Sequence, residues 1–140
     1  MIIETRVSWE CKYHIIFIPK YRKNSLFGQI RPRLGAVFHE LARRKECVIE
    51  EGHIMRDHVH ILISIPPKYS VAHIVGYIKG KSSIWIAQNI DRKMKNFNDA
   101  KFWARGYFVS TVGRDKEIIR HYIRNQELQD KQLDQLTLIP

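Results

Sequence analysis

At 140 residues and 44% hydrophobic content the chain is long enough for one domain with its own core, and no apolar run approaches the roughly 20 residues that cross a membrane. Lysine and arginine outnumber aspartate and glutamate 24 to 14, a net charge of +10, and residues 1–45 alone carry ten basic against three acidic residues. That excess points to a polyanionic partner, nucleic acid before a membrane surface, because no helix pairs a basic face with a broad exposed apolar one. Cys11 and Cys47 lack metal-type spacing and read as reduced thiols. Met1–Arg6 has no signal pattern, so a cytoplasmic protein is expected.

Residues 7–18 alternate. Trp9, Cys11, Tyr13, Ile15 and Phe17 form one face and Ser8, Glu10, Lys12, His14 and Ile16 the other, which predicts a first strand with one buried side, ended by Pro19. Lys20-Tyr21-Arg22-Lys23 then sets three cations around an aromatic ring. That composition suits a phosphate backbone with a stacked base, and equally a solvated basic turn. Ile30, Leu34, Val37, Phe38 and Leu41 recur at helical spacing, predicting a helix over roughly 29–45 with Pro32 in its first turn. Its outer face carries Arg31, Arg33, Arg43, Arg44 and Lys45.

Cys47 to Met55 reads as a second strand, and Arg56-Asp57 as a tight turn into a third. The third runs His58-Val59-His60-Ile61-Leu62-Ile63-Ser64-Ile65. Alternation puts His58, His60, Leu62 and Ser64 on one face, opposite a buried row of Val59, Ile61, Ile63 and Ile65. Two imidazoles side by side on a stiff strand can share one metal ion. They can also be two polar residues on a solvated face, and spacing alone does not decide.

Ser70 is the expected N-cap of a second helix to about residue 89, with Val71, Ile74, Val75, Ile78, Ser82 and Trp85 on one face. Gly80-Lys81-Ser82 imitates the end of a phosphate-binding loop, but Val75 stands where its first glycine belongs and no strand precedes it. Lys79 and Lys81 are thus backbone-contacting cations or plain solvated ones. A polar connector follows at 90–101, then a fourth strand from Phe102 to Val112 with Gly106 as a bulge. Past Gly113 a third helix begins near Asp115, with Ile118, Ile119, Tyr122, Ile123 and Gln126 on one stripe, and Leu128, Leu133 and Leu136 mark a short, weakly amphipathic tail.

The order strand–helix–strand–strand–helix–strand predicts an α+β fold, the ferredoxin-like βαββαβ unit. Its antiparallel sheet carries both helices on one face and has the first and third strands at its centre. His58 and His60 fall on the open face, with His14 beside them. The third helix lies outside the unit, so residues 1–140 form one domain whose helix from about 114 is free to move across that face. Tyr122 and Gln126 are four apart and share a helix face. Alone they are a core tyrosine and a surface glutamine. Beside a two-histidine half-site, the amide oxygen of Gln126 is a third ligand suited to a hard divalent ion, and the hydroxyl of Tyr122 lies one turn back, near the open side of such a site.

These motifs in this order resemble the single-tyrosine HUH transposases of small bacterial and archaeal insertion sequences, relatives of the REP-associated tyrosine transposases. The resemblance runs through Tyr13-His14-Ile15, Pro19-Lys20-Tyr21-Arg22, Asp57-His58-Val59-His60-Ile61-Leu62, Lys79-Gly80-Lys81-Ser82, Trp103-Ala104-Arg105-Gly106-Tyr107 and His121-Tyr122-Ile123-Arg124-Asn125-Gln126. It implies that His58, His60 and Gln126 bind Mg²⁺ or Mn²⁺. It implies that Tyr122 attacks single-stranded DNA to give a 5′-phosphotyrosine and a free 3′-hydroxyl. It also implies a homodimer with composite active sites that recognises hairpins at the element ends. By the same analogy Lys20, Tyr21, Arg22, Lys23, Arg31, Arg33, Lys79, Lys81 and Arg105 are the candidate DNA contacts. The competing readings are a non-catalytic single-stranded nucleic-acid-binding module on an open sheet, and another HUH nuclease such as a replication initiator or relaxase.

Overall fold

The computed structural model describes residues 11–89, 102–111 and 116–138, the last segment with side chains for 117–133. The elements are β1 (Lys12–Phe17), a 3₁₀ turn (Tyr21–Lys23), α1 (Asn24–Arg44), β2 (Val48–Ile54), β3 (Val59–Ser64), α2 (Val71–Asn89), β4 (Phe108–Ser110) and α3 (Lys116–Leu138). The sheet order is β2-β3-β1-β4 with every neighbouring pair antiparallel, so the expected α+β, ferredoxin-like arrangement is present with β1 and β3 at its centre. The start of the first strand at residues 7–10, the connector at 90–101, Val112, the Gly113 hinge and the side chain of Leu136 lie outside the described residues.

The histidine strand follows its period. Val59, Ile61 and Ile63 are at most 2% exposed and face α1 and α2. The hairpin before it closes where the Met55 N–H donates to the His58 carbonyl at 2.8 Å. Ser70 caps α2, its hydroxyl accepting the His73 N–H at 3.0 Å. The core between sheet and helices is aromatic: Phe17, Phe27, Phe38, Phe102 and Trp103 meet with ring centroids 4.8 to 6.3 Å apart, mostly edge to face.

Four expectations are corrected. The first helix starts at Asn24 rather than 29, because Phe27 extends the buried stripe back one turn from Ile30; Pro32 therefore sits in the helix interior, on its exposed side. The fourth strand is only Phe108–Ser110. Phe102 and Trp103 instead plunge into the core, where the Phe102 N–H donates to Ser83 Oγ at 3.1 Å and Trp103 Nε1 to Ser82 Oγ at 2.8 Å. The second half of β1, from Ile15 to Phe17, is buried on both sides, since α3 covers the second face and makes a separate small cluster of Ile16, Ile18, Ala104, Ile119 and Ile123. Finally, Ile118, expected on the packing stripe of α3, faces outward, while the tail with Leu128 and Leu133 extends the helix to Leu138 as expected.

Candidate active site

The two histidines stand under α3, not on a solvated face. His60 pairs across the sheet with Ile16 on β1 and His53 on β2 and is 6% exposed. Its Nε2 lies 3.2 Å from Nδ1 of His14, and the His53 ring is 6.4 Å away between centroids. His58, at the mouth of β3, has a side chain 15% exposed, and its Nδ1 meets Asp57 Oδ1 at 2.7 Å. The hydrogen bond to His58 holds the Asp57 carboxyl below its usual range. A carboxylate on one ring nitrogen fixes the tautomer and presents the other, Nε2, as a ligand, the outer-shell arrangement found around metal-bound imidazoles.

Helix α3 closes a cleft of about 650 Å³ over these residues. Its walls are His53, Met55, Asp57, His58 and His60 from the sheet side and Ile119, Arg120, Ile123, Arg124 and Glu127 from the helix. Burial and the nearby charge of Asp57 both push the Glu127 carboxyl up, so the two acids face one another here. Tyr122 and Gln126 do not line the cleft. They lie on the other flank of the Ile119–Ile123 seam, where the Tyr122 ring tilts against Phe108 with centroids 5.6 Å apart. Gln126 Nε2 donates to the Tyr122 oxygen at 3.2 Å. Burial pushes the Tyr122 hydroxyl up, and this hydrogen bond opposes the effect. Gly106 makes the seat: its φ is +83°, and a Cβ there would stand 2.9 Å from Gln126 Nε2. At 100° per residue the Tyr122/Gln126 and Arg120/Arg124 flanks are roughly 160° apart around the helix. The fold thus brings His58 beside His60 and Tyr122 beside Gln126, and holds the two pairs on opposite sides of one helix.

Among the described residues no three of His, Cys, Asp and Glu converge to hold a metal ion. The donors still fit one in part: His58 is backed by a carboxylate, His60 is its neighbour on the same face, and the Gln126 amide is carried on the helix that packs over them.

The candidate DNA contacts do not share one surface. Arg33 and Lys81 line a groove of about 640 Å³ between α1 and α2, together with Arg44 and Trp85, and the Arg33 guanidinium lies 5.0 Å over the Trp85 ring. Arg31 is half-buried, its Nη1 reaching the Ile54 carbonyl at 3.5 Å. Lys79 donates to the carbonyls of Ala104 and Gly106, both at 2.8 Å, and burial pulls its pKa down to about 8. Arg105 is exposed beside that loop. Lys20, Tyr21, Arg22 and Lys23 sit at the far end of α3, where the Tyr21 N–H donates to the Asp130 carboxylate and Lys131 Nζ lies 4.1 Å over the Tyr21 ring.

Sequence reasoning missed His53, Arg120, Arg124, Glu127 and Asp130. The i, i+4 spacing of Arg120 and Arg124 on a helix already assigned to the open face was the available signal.

A profile of the family described as "Transposase IS200 like" matches residues 7–126. The transposase for insertion sequence element IS200 of Salmonella typhimurium is 40% identical over 130 residues, covering 93% of this chain and 86% of that protein. The ISDra2 transposase TnpA of Deinococcus radiodurans is 25% identical over 119 residues, 84% of this chain and 85% of its own. Among solved structures, a Deinococcus radiodurans protein described as a transposase superposes with a TM-score of 0.75 at 24% identity, covering 90% of this chain and 98% of that one. A REP-associated tyrosine transposase bound to a REP hairpin gives 0.55 at 13% identity, over 87% and 68%. Built on the same fold and matched along most of its length, the chain belongs to the IS200-like transposase family.

Proposed function

We propose that this transposase cleaves and rejoins single-stranded DNA at insertion-sequence ends, with Tyr122 as nucleophile and His58, His60 and Gln126 as ligands of a divalent cation, Mg²⁺ or Mn²⁺. The observation that carries the reading is the carboxylate-backed His58 beside His60, beneath the helix that bears Tyr122 and Gln126. A bound cation would polarise the scissile phosphate and balance its charge. The Tyr122 oxygen attacks phosphorus, a P–O bond to tyrosine forms, the P–O3′ bond breaks, and the leaving 3′-oxygen takes up a proton. The phosphoester bond is conserved in the 5′-phosphotyrosine, so a later 3′-hydroxyl can reverse the step without ATP. Gln126 donating to the phenol oxygen favours the phenolate that attacks.

Tyr122 reaches the histidines only if α3 changes its seat. The small apolar seam beneath it supports that reading, and a homodimer in which α3 docks on the partner's sheet satisfies it. Hairpin recognition rests on the REP-associated transposase of similar fold, which is bound to a REP hairpin. The groove with Arg33 and Lys81 and the Lys20–Lys23 turn are the surfaces offered for it.

The test is a denaturing gel. With Mn²⁺ and single-stranded DNA from the ends of its element, the protein is expected to form a covalent adduct that Tyr122→Phe abolishes and chelator prevents, while DNA binding persists. An undiminished adduct from Tyr122→Phe sinks the nucleophile assignment, and one from His58→Ala sinks the metal site.

A further inference from the structure

The flank of α3 that faces the histidines carries two arginines the proposed chemistry does not use. Arg120 and Arg124 are one helical turn apart, exposed, and both line the cleft with His58 and His60. Arginines on a helix are most often a solvated face, but this pair is aimed into a concave site. Among the described residues neither guanidinium is paired with a carboxylate, although Asp57 and Glu127 border the same cleft. Those acids stand together, and Asp57 is engaged by His58. The cleft therefore carries one acid on the sheet side, Asp57, and one on the helix, Glu127, beside two guanidiniums that neither acid engages.

We infer that Arg120 and Arg124 form a phosphate clamp that grips the backbone of single-stranded DNA in the histidine cleft. Guanidiniums present forked donors that match phosphate oxygens two at a time. Side chains one turn apart, about 6 Å, can hold one phosphate from two sides or two successive phosphates of an unstacked strand. A cleft of about 650 Å³ lies within the usual range for ligand sites. The inference rests on the proposed function and adds a division of labour to it. In its seat in this structure α3 turns its gripping flank to the cleft, and the shift that brings Tyr122 to the histidines turns that flank away, so the clamp holds the strand before cleavage.

Binding of a fluorescein-labelled 20-nucleotide oligothymidylate by the full chain, measured across a salt series, tests it. The pair Arg120→Gln with Arg124→Gln is expected to weaken binding at least tenfold. It should also reduce the slope of log K against log salt by about 1.4, two contacts at roughly 0.7 each for a single strand. Lysine at both positions should keep the slope. The charge-matched pair Arg43→Gln with Lys45→Gln, at the end of α1 and outside the groove between the helices, should remain within about twofold of wild type. An unchanged slope in the cleft pair overturns the clamp, and so does an equal loss in the α1 pair, which would reduce it to net charge. If the double substitution does not fold, Arg124→Gln alone decides, with half the slope change. An adduct formed by the wild type while the glutamine pair binds normally removes the clamp and leaves Tyr122 as nucleophile. A slope loss in a chain that never forms an adduct removes the cleavage reading and leaves the arginines as a nucleic-acid grip.

Discussion

On one side of the sheet α1 and α2 enclose Phe17, Phe27, Phe38, Phe102 and Trp103 with the buried rows of β1 and β3. On the other, α3 rests on Ile16, Ile18 and Ala104 through little more than Ile119 and Ile123, and the rest of that interface is histidine, carboxylate, arginine and tyrosine. Apolar area removed from water is the main stabilising quantity in a domain of this size. The first side therefore carries the fold. The second holds a helix loosely enough to leave room for a cleft and for the helix to shift. Polar groups that need partners or substrate gather where the apolar contribution is small.

The comparison breaks most visibly through paired substitutions. Phe38→Ala, at 2% exposure in the large core, should cost about 3–5 kcal/mol and lower the global unfolding midpoint in denaturant. Ile123→Ala, at 5% exposure in the small seam, should cost about 2 kcal/mol and act locally. Hydrogen exchange would then accelerate along Lys116–Leu138 while the sheet stays protected. Equal, global losses from both substitutions would mean that the two faces fold as one cooperative unit.

Within the second face, Asp57→Asn separates support of the metal site from support of the fold. Replacing the carboxylate that orients His58 should weaken Mn²⁺ binding 10- to 100-fold by calorimetry. Asp57 is exposed and outside both core clusters, so the thermal midpoint should hardly move. A large stability loss with unchanged Mn²⁺ affinity would make the Asp57–His58 pair a structural link instead.

The two faces also differed in how far the chain announced them. β3 was legible because a strand buried on one side writes its period directly, in Val59, Ile61 and Ile63 against His58 and His60. Element order then placed that strand at the centre of the sheet. The seat of α3 was not legible. Ile118, Ile119, Tyr122, Ile123 and Gln126 make a stripe broad enough to dock on either edge, and only the fit against Ile16 and Ile18 decides that Ile119 and Ile123 lie at the middle while Ile118 is exposed. Phe102 and Trp103 read as strand because aromatics favour strands, yet the hydroxyls that draw them into the core belong to Ser82 and Ser83, some twenty residues earlier. Asp130 gave no local sign, since its partner is a backbone N–H at Tyr21.

The smallest effect concerns the residue that joins the faces. Lys79 projects from α2 and holds the Ala104 and Gly106 carbonyls, and so fixes the glycine against which Gln126 rests. Burial depresses its pKa from the ordinary lysine value of 10.5 to about 8. Between those values the unfolded chain keeps a proton that the folded chain has released. Stability contributed at this position therefore rises with pH through the window and is flat below it. Urea unfolding of the native chain and Lys79→Met at pH 7, 8.5 and 10 isolates the contribution, because the titrations of Tyr122 and Cys47 are common to both. The difference in midpoint should shift toward the native chain as pH rises. A difference that stays constant, or moves the other way, would mean that Lys79 remains charged between its two carbonyls throughout. In that case the ammonium is solvated as well as hydrogen-bonded, and the loop that seats Gln126 is more open to water than its packing against α3 implies.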